Sequence, residues 1–239
     1  MNLGEVKDAV REHFGHIGWP TVMLDLALGS ARREIEKNSN GGYYWMRATK
    51  TFNSVASQQD YSITTSASSG LNLPNFKDLR ALRVKESGDT VWTDVSVGEV
   101  TQEEAETMFA TDEENMPLIA IVDNTTLKLF PTPDAIYNFK LWHYEWTSNP
   151  TTNTGTTGTD ELTERFPEAL IYGALVWGCE QYEKSYPDAD RWAAKFREQQ
   201  SQLHRHSLER ERQDRLTWVP MGGAYDFRRR TRLGRQIWV

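Results

Sequence analysis

Leu118-Ile-Ala-Ile-Val122, Asp123-Asn-Thr125, Thr126-Leu-Lys-Leu-Phe130 and Pro131-Thr-Pro133 stand in succession near the middle of the chain. Two short apolar-rich runs are split by a polar tripeptide and closed by prolines, which is the pattern of a β-hairpin. Proline ends a strand because it has no N–H to give to a ladder. This is the strongest hairpin signal in the sequence, and it puts a β-rich region at its centre.

Directly after it, Tyr137–Trp146 reads as a long strand with aromatic residues on both faces. Tyr137, Phe139 and Leu141 share one face, and Trp142, Tyr144 and Trp146 share the other. A half-buried strand should alternate apolar with polar. Two accounts fit: a strand sandwiched between sheet and helices, or one face in the core and one in a subunit or tail interface. Upstream, Met46–Ala56, Asp60–Ile63 and Leu79–Val84 have strand composition. Val91–Val97 can pair back across the Ser87-Gly-Asp89 turn. Thr101-Gln-Glu-Glu104 has the form of a capping box and predicts a short helix over 102–110.

The periodicity changes on either side. Leu3, Val6, Val10, Phe14 and Ile17 fall at helical spacing, as do Leu24, Ala27, Leu28, Ala31 and Ile35. Arg32, Arg33, Glu34, Glu36 and Lys37 are expected on the wet side of that second helix. After a Thr/Asn/Gly/Pro loop at 148–159, Asp160 restarts helical structure. Leu162, Phe166, Leu170, Ile171, Ala174 and Leu175 trace its apolar face. Gly173 and Gly178 would let another helix come close. The longest helix is expected over 188–215, with Trp192, Phe196 and Leu203 toward the core. Its second half, beyond Leu208, has no core face and is expected to protrude unless a partner covers it. The expected fold class is α+β. Helices of 1–42 and 160–215 form one bundle, an antiparallel β-rich domain is inserted at 43–147, 148–159 is a polar loop, and 216–239 is an extended tail.

Composition narrows the function. With 38% hydrophobic and 26% charged residues the chain is globular in type. No apolar run approaches the roughly 20 residues of a membrane helix. The N-terminus lacks the order of a signal peptide, so a soluble, cytoplasm-made protein is expected. One cysteine, Cys179, excludes a disulfide framework and reads as a small buried hydrophobe. Net charge is −7. Yet residues 191–239 hold 12 Lys and Arg against 5 Asp and Glu. An acidic body therefore carries a basic end, which suggests a charged partner or head-to-tail self-association.

Catalytic patterns are absent: no phosphate-binding glycine loop, no nucleophile elbow, no HExxH. His13 and His16 lack a third ligand, and His204 and His206 are expected in solvent. Glu103, Glu104 and Glu106, with Asp112, Glu113 and Glu114, read as a solvated acidic surface; a carboxylate-dependent hydrolase is the enzymatic alternative. No cofactor or metal is expected. No sequence-specific nucleic-acid motif occurs, and the acidic body would repel DNA.

The end of the chain is unusual. Leu216–Val239 sets five arginines against one aspartate and intersperses them with Trp, Tyr, Phe, Ile and Val. Arginine and aromatic residues are enriched in the buried centres of interfaces. Such a tail is built to be held by something large that is acidic or grooved.

The segments together resemble the head–tail connector adaptor proteins of tailed bacteriophages, especially the short-tailed kind. The likeness rests on Leu24–Glu36, Tyr43-Tyr-Trp45, Tyr61-Ser-Ile63, Leu73-Pro-Asn-Phe76 running into Leu79–Val84, Thr126–Pro133 leading into Tyr137–Tyr144, and Leu162 with Phe166–Ala174. The resemblance implies a non-enzymatic virion protein. Twelve copies would form a ring under the portal, lengthen the DNA channel without sequence-specific contacts, and offer a platform to tail nozzle or fibre proteins. The C-terminal helix and tail would reach the portal. Trp218, Tyr225, Phe227, Arg228, Arg229, Arg230, Arg232, Arg235, Ile237 and Trp238 are then the expected portal-binding residues. Trp142, Tyr144 and Trp146 are the expected neighbour- or tail-facing residues. Another tail-completion or minor virion protein is the alternative within the same class.

Overall fold

The chain opens on a capping box. Asn2 accepts from the Glu5 N–H, and the Glu5 carboxylate accepts from the Asn2 N–H, each at 2.9 Å. This starts α1 (Leu3–His13), whose Leu3, Val6 and Val10 are buried. The computed structural model describes residues 1–14, 19–37, 42–65, 70–109, 113–147 and 160–216, with side chains up to 212. The polar loop 148–159 and the tail 217–239 lie outside the described residues.

Helix α2 (Thr21–Lys37) buries Leu24, Ala27, Leu28, Ala31 and Ile35, as their spacing requires. It also buries Arg32 and Glu36. Their expected place on the wet face is therefore wrong: the apolar stripe continues at helical spacing through two charged positions that find partners indoors, Arg32 in Asp160 and Glu36 in Thr147. A 3-10 turn (Tyr44–Met46) leads into β1 (Arg47–Asn53). Then follow β2 (Asp60–Ser62), β3 (Phe76–Glu86), β4 (Thr93–Val97), α3 (Gln102–Met108), β5 (Ile119–Asp123), β6 (Thr126–Phe130) and β7 (Tyr137–Glu145). Helices α4 (Glu161–Arg165), α5 (Pro167–Trp177) and α6 (Tyr186–Leu216) complete the chain, with a π-helical segment (Gly178–Glu183) between the last two.

The seven strands form one sheet in the order β1-β7-β3-β4-β5-β6-β2. The hairpin that opened the sequence reading is β5–β6, closed by Asn124-Thr125 with Asp123 opposite Thr126. Asn124 has φ +53, a conformation its short polar side chain tolerates. The sheet is not wholly antiparallel, as expected of it, because β4 and β5 run parallel. Parallel neighbours need a crossover, and the capped α3 supplies it. Thr101 accepts from Glu104 N–H while Glu104 accepts from Thr101 N–H.

Helices α1, α2, α4, α5 and α6 share one apolar core. Leu3, Val6, Leu24, Leu28, Ile35, Leu170, Leu175, Phe196 and Leu203 belong to it, together with Tyr43, Met46 and Tyr144. A second core lies within the curled sheet and holds Tyr61, Leu82, Val84, Leu127, Phe139 and Leu141. A small third one fastens α3 through Ala105 to Ile119 and Phe130.

The helical run from Asp160 is interrupted where one helix was expected. Phe166 takes φ −131, and Pro167 starts α5 in the first-turn position where its missing N–H costs nothing. The two glycines act as the sequence suggested. A Cβ at Gly173 would lie 2.7 Å from the Ala31 Cβ, and one at Gly178 would lie 1.9 Å from the Trp19 ring. Trp19 is only 3% exposed, so it cannot simply swing out. Gly178→Ala is expected to lose about 1–3 kcal/mol of stability in a urea melt despite alanine's better helix propensity.

Cys179, next in sequence, is buried. Burial, with Glu183, Asp188 and Glu180 nearby, pushes its thiol up to about 11. The thiolate is the reactive form. Cys179 should therefore resist a disulfide-exchange reagent at pH 7 and react at once when the chain is unfolded in denaturant.

Candidate interaction surfaces

The junction between helices and sheet is polar and closely tied. Arg32 donates to the Thr147 hydroxyl at 2.9 Å and pairs with Asp160. Thr147 in turn donates to Glu36. These contacts join α2 to the end of β7 and to the start of α4, so one guanidinium grips both ends of the 148–159 segment. Asp160 also caps α4, accepting from the Thr163 N–H at 2.9 Å. Burial works to raise Asp160, but the Arg32 guanidinium and the Thr163 N–H outweigh it and hold the carboxyl below its ordinary value. Burial pushes Glu36 upward, against the pull of Thr147, Arg32 and Arg33. Beside this network lies a cleft of about 370 Å³ lined by Trp45, Arg47, Asn75, Trp146 and Asp160 among others.

The three aromatic residues on one face of β7 have different fates. Tyr144 is 8% exposed and belongs to the helical core, with Gly42 against its ring. Trp146 packs on the edge of that core beneath Arg33 and Lys77, each cation 5.0 Å from the ring centroid. Trp142 faces away from the sheet core, half-buried between Arg83 at 5.5 Å and Lys140 at 5.0 Å. The aromatic face of β7 is thus divided along its length: helices take the far end, and only Trp142 among the three stands apart from both large cores.

Beyond Leu208, α6 is exposed at 208–210 and 212 as the sequence suggested, but it is held from one side rather than free. Leu203 is fully buried and Ser207 nearly so. His206 lies between Tyr44 and Phe166, at 5.9 and 5.3 Å, rather than in solvent. Glu211 pairs with Arg47 of β1. The partner covering this helix is the chain's own 3-10 turn and first strand. Sequence periodicity missed it because the contacts are made by His, Ser and Glu, which carry no apolar signal. Consequently the chain enters 217–239 from a fixed point beside β1. Trp218, Tyr225, Phe227, the five tail arginines, Ile237 and Trp238 fall outside the described residues.

Among the described residues, the acidic positions considered for chemistry do not converge. Glu103 and Glu106 are exposed along α3, while the Glu104 carboxylate is used in its helix cap. Glu113 and Glu114 are exposed, and Asp112 lies outside the described residues. No group of three or more potential metal-ligating side chains occurs among the described residues. None of the described helices is long and apolar enough to cross a membrane. What the surface offers is a clamped loop base, a helix end pinned to the sheet, and a cation-rich tryptophan face.

The sequence model of the SU10 adaptor protein family matches residues 1–222. The chain belongs to that family. No curated protein matches it. Membership agrees with the likeness to phage head–tail adaptors carried by the ordered segments, and it supports a structural role in a virion for this adaptor. The match spans every described helix and strand of the adaptor and stops at residue 222, ahead of its arginine-rich segment.

Proposed function

We propose that this adaptor forms a ring beneath the portal of a tailed phage, joining the capsid vertex to the tail and extending the channel through which DNA leaves. The reading rests on the family match across the whole described fold. The pinned end of α6 supports it further. A helix tied to β1 through Glu211–Arg47 delivers the following residues from a defined place, as a repeated attachment to a symmetric partner needs. In this proposal residues 216–239 are the grip on the portal. Their arginines pair with portal carboxylates, and Trp218, Tyr225, Phe227, Ile237 and Trp238 fill apolar pockets. The neighbouring copies, about twelve by family resemblance, meet through a heterologous interface repeated about the channel axis. A tail nozzle or fibre protein binds below. DNA passes an acidic body that gives phosphates little to hold.

Native mass measurement tests the assembly. The isolated adaptor should be monomeric or weakly associated and should form a closed ring only when portal rings are added. A stable ring in solution without portal would contradict templated assembly.

A further inference from the structure

The sheet has one outer face, and only part of it is covered. Residues directly opposite each other in a ladder point to the same side. Ala81 faces Trp142 and Arg83 faces Lys140 between β3 and β7; Thr49 and Thr51 of β1 continue the same two rows. Their neighbours in sequence, Leu82, Val84, Phe139 and Leu141, fill the sheet core. Arg83 also faces Asp94 of β4. Two residues on, Ser96 of β4 faces Ile119, which α3 covers. Helix α3 therefore roofs the β5–β6 half of this face and the helical core covers the Tyr144 end of the β1–β7–β3 half, which leaves the rows through Trp142 and Lys140 open.

The open part has a definite chemistry. Arg83 and Lys140 flank Trp142, and Lys85 lies 5.2 Å from the Trp92 ring. Asp94 answers Arg83, but no carboxylate within salt-bridge distance answers Lys140 or Lys85 among the described residues. Thr49 and Thr51 are exposed beside them. A cationic, tryptophan-bearing face on a chain of net charge −7 calls for an acidic partner.

The same chain carries one. Along α3, Glu103 and Glu106 are exposed and no cation pairs with them among the described residues. Carboxylate and guanidinium or ammonium attract. The chain's own C-terminal segment is the wrong occupant, because five arginines against one aspartate would repel this face.

We infer that the open face around Trp142 is the socket for a second copy of this chain, and that it receives that copy's α3 through Glu103 and Glu106, which lie three apart on one side of the helix. Two unlike, complementary patches on one protomer are what a head-to-tail ring requires. The inference rests on the ring reading above and names its surfaces.

The test uses the full chain with portal rings, scored by electron microscopy and sedimentation. Arg83→Glu with Lys140→Glu, and separately Glu103→Lys with Glu106→Lys, should each cut ring assembly roughly tenfold or more, since like charges then face each other. Thermal melting should fall by no more than a few degrees, because Arg83, Glu103 and Glu106 are exposed, Lys140 is half-buried, and the Arg83–Asp94 pair that is lost is a surface one. Carrying both pairs of reversals in one chain should restore the ring. If the wild-type chain forms rings and either reversed pair does so equally well, the socket is elsewhere and the ring reading stands. Loss in both pairs without recovery in the combined chain also overturns the pairing. If the wild-type chain forms no ring on portal, the ring reading fails and this inference falls with it. Short duplex DNA that binds the wild type but not Arg83→Glu/Lys140→Glu would assign the face to nucleic acid instead.

Discussion

Replacing Arg32 by alanine is expected to cost the adaptor about 3 kcal/mol at pH 7, at the low end of what breaking a buried ion pair costs. Its guanidinium is 5% exposed and its partner Asp160 is 33% exposed, so solvent already screens one side of the pair. Removal takes one cation away from the wholly buried Glu36, which keeps its bond from Thr147, the half-exposed Arg33 at 3.7 Å and Lys77 close by. For a chain of this size that loss corresponds to roughly 6–12 °C in Tm. The pH dependence distinguishes this cause from lost packing. Asp160 sits below its ordinary value, so its stabilising contribution is present above about 3.8 and fades as pH falls through the lower folded value. Glu36 sits above its ordinary 4.5, so its contribution has the opposite sign, present below 4.5 and lost as pH rises through the folded value. In Arg32→Ala both carboxylates lose their main cation. The deficit should shrink as pH falls, first as Glu36 takes up its proton above its ordinary 4.5 and then as Asp160 takes up its own below 3.8. Thermal melts of wild type and variant across pH 3–8 measure this. A deficit that does not vary with pH would mean that Arg32 acts through packing alone.

The second large effect concerns attachment rather than folding. Ending the chain after Arg215 keeps every described side-chain contact, the last of which is Glu211 with Arg47. The shortened adaptor should melt within a degree or two of the full one. Its binding to portal should fall by roughly a hundredfold or more, because losing even two aromatic anchors at about 2 kcal/mol each exceeds that factor. Trp218→Ala and Trp238→Ala in the full chain should each show part of the loss. Because the family match stops at residue 222, Trp238 tests a segment on which membership is silent, and the argument there is one of residue chemistry alone.

Much of the fold was legible because it rests on apolar periodicity and turn chemistry. The β5–β6 hairpin, the capping box at Thr101, the α2 stripe and the close approaches at Gly173 and Gly178 all follow from local residue patterns. What was not legible depends on charged or polar groups finding partners far away in sequence. Arg32 and Glu36 look like a wet helix face until Thr147 and Asp160 arrive beside them. The outer half of α6 looks bare until Arg47 and Tyr44 meet it. The parallel β4–β5 pair was hidden because five-residue strands carry no sign of direction. Of the aromatic face of β7, the sequence showed that both sides were apolar. It could not show that the helices claim Tyr144 and Trp146 while Trp142 stays in a cation cage. That difference is what singles out the outer sheet face as a candidate contact between copies.

The most direct test of the account is a reconstruction, by electron cryomicroscopy, of portal rings mixed with the full-length adaptor. The account predicts a closed adaptor ring on the tail side of the portal, with the chain beyond α6 of each copy running onto a portal subunit and its tryptophans seated in portal pockets. An adaptor ring whose C-terminal segments point away from the portal, or portal rings that carry no adaptor, would contradict it.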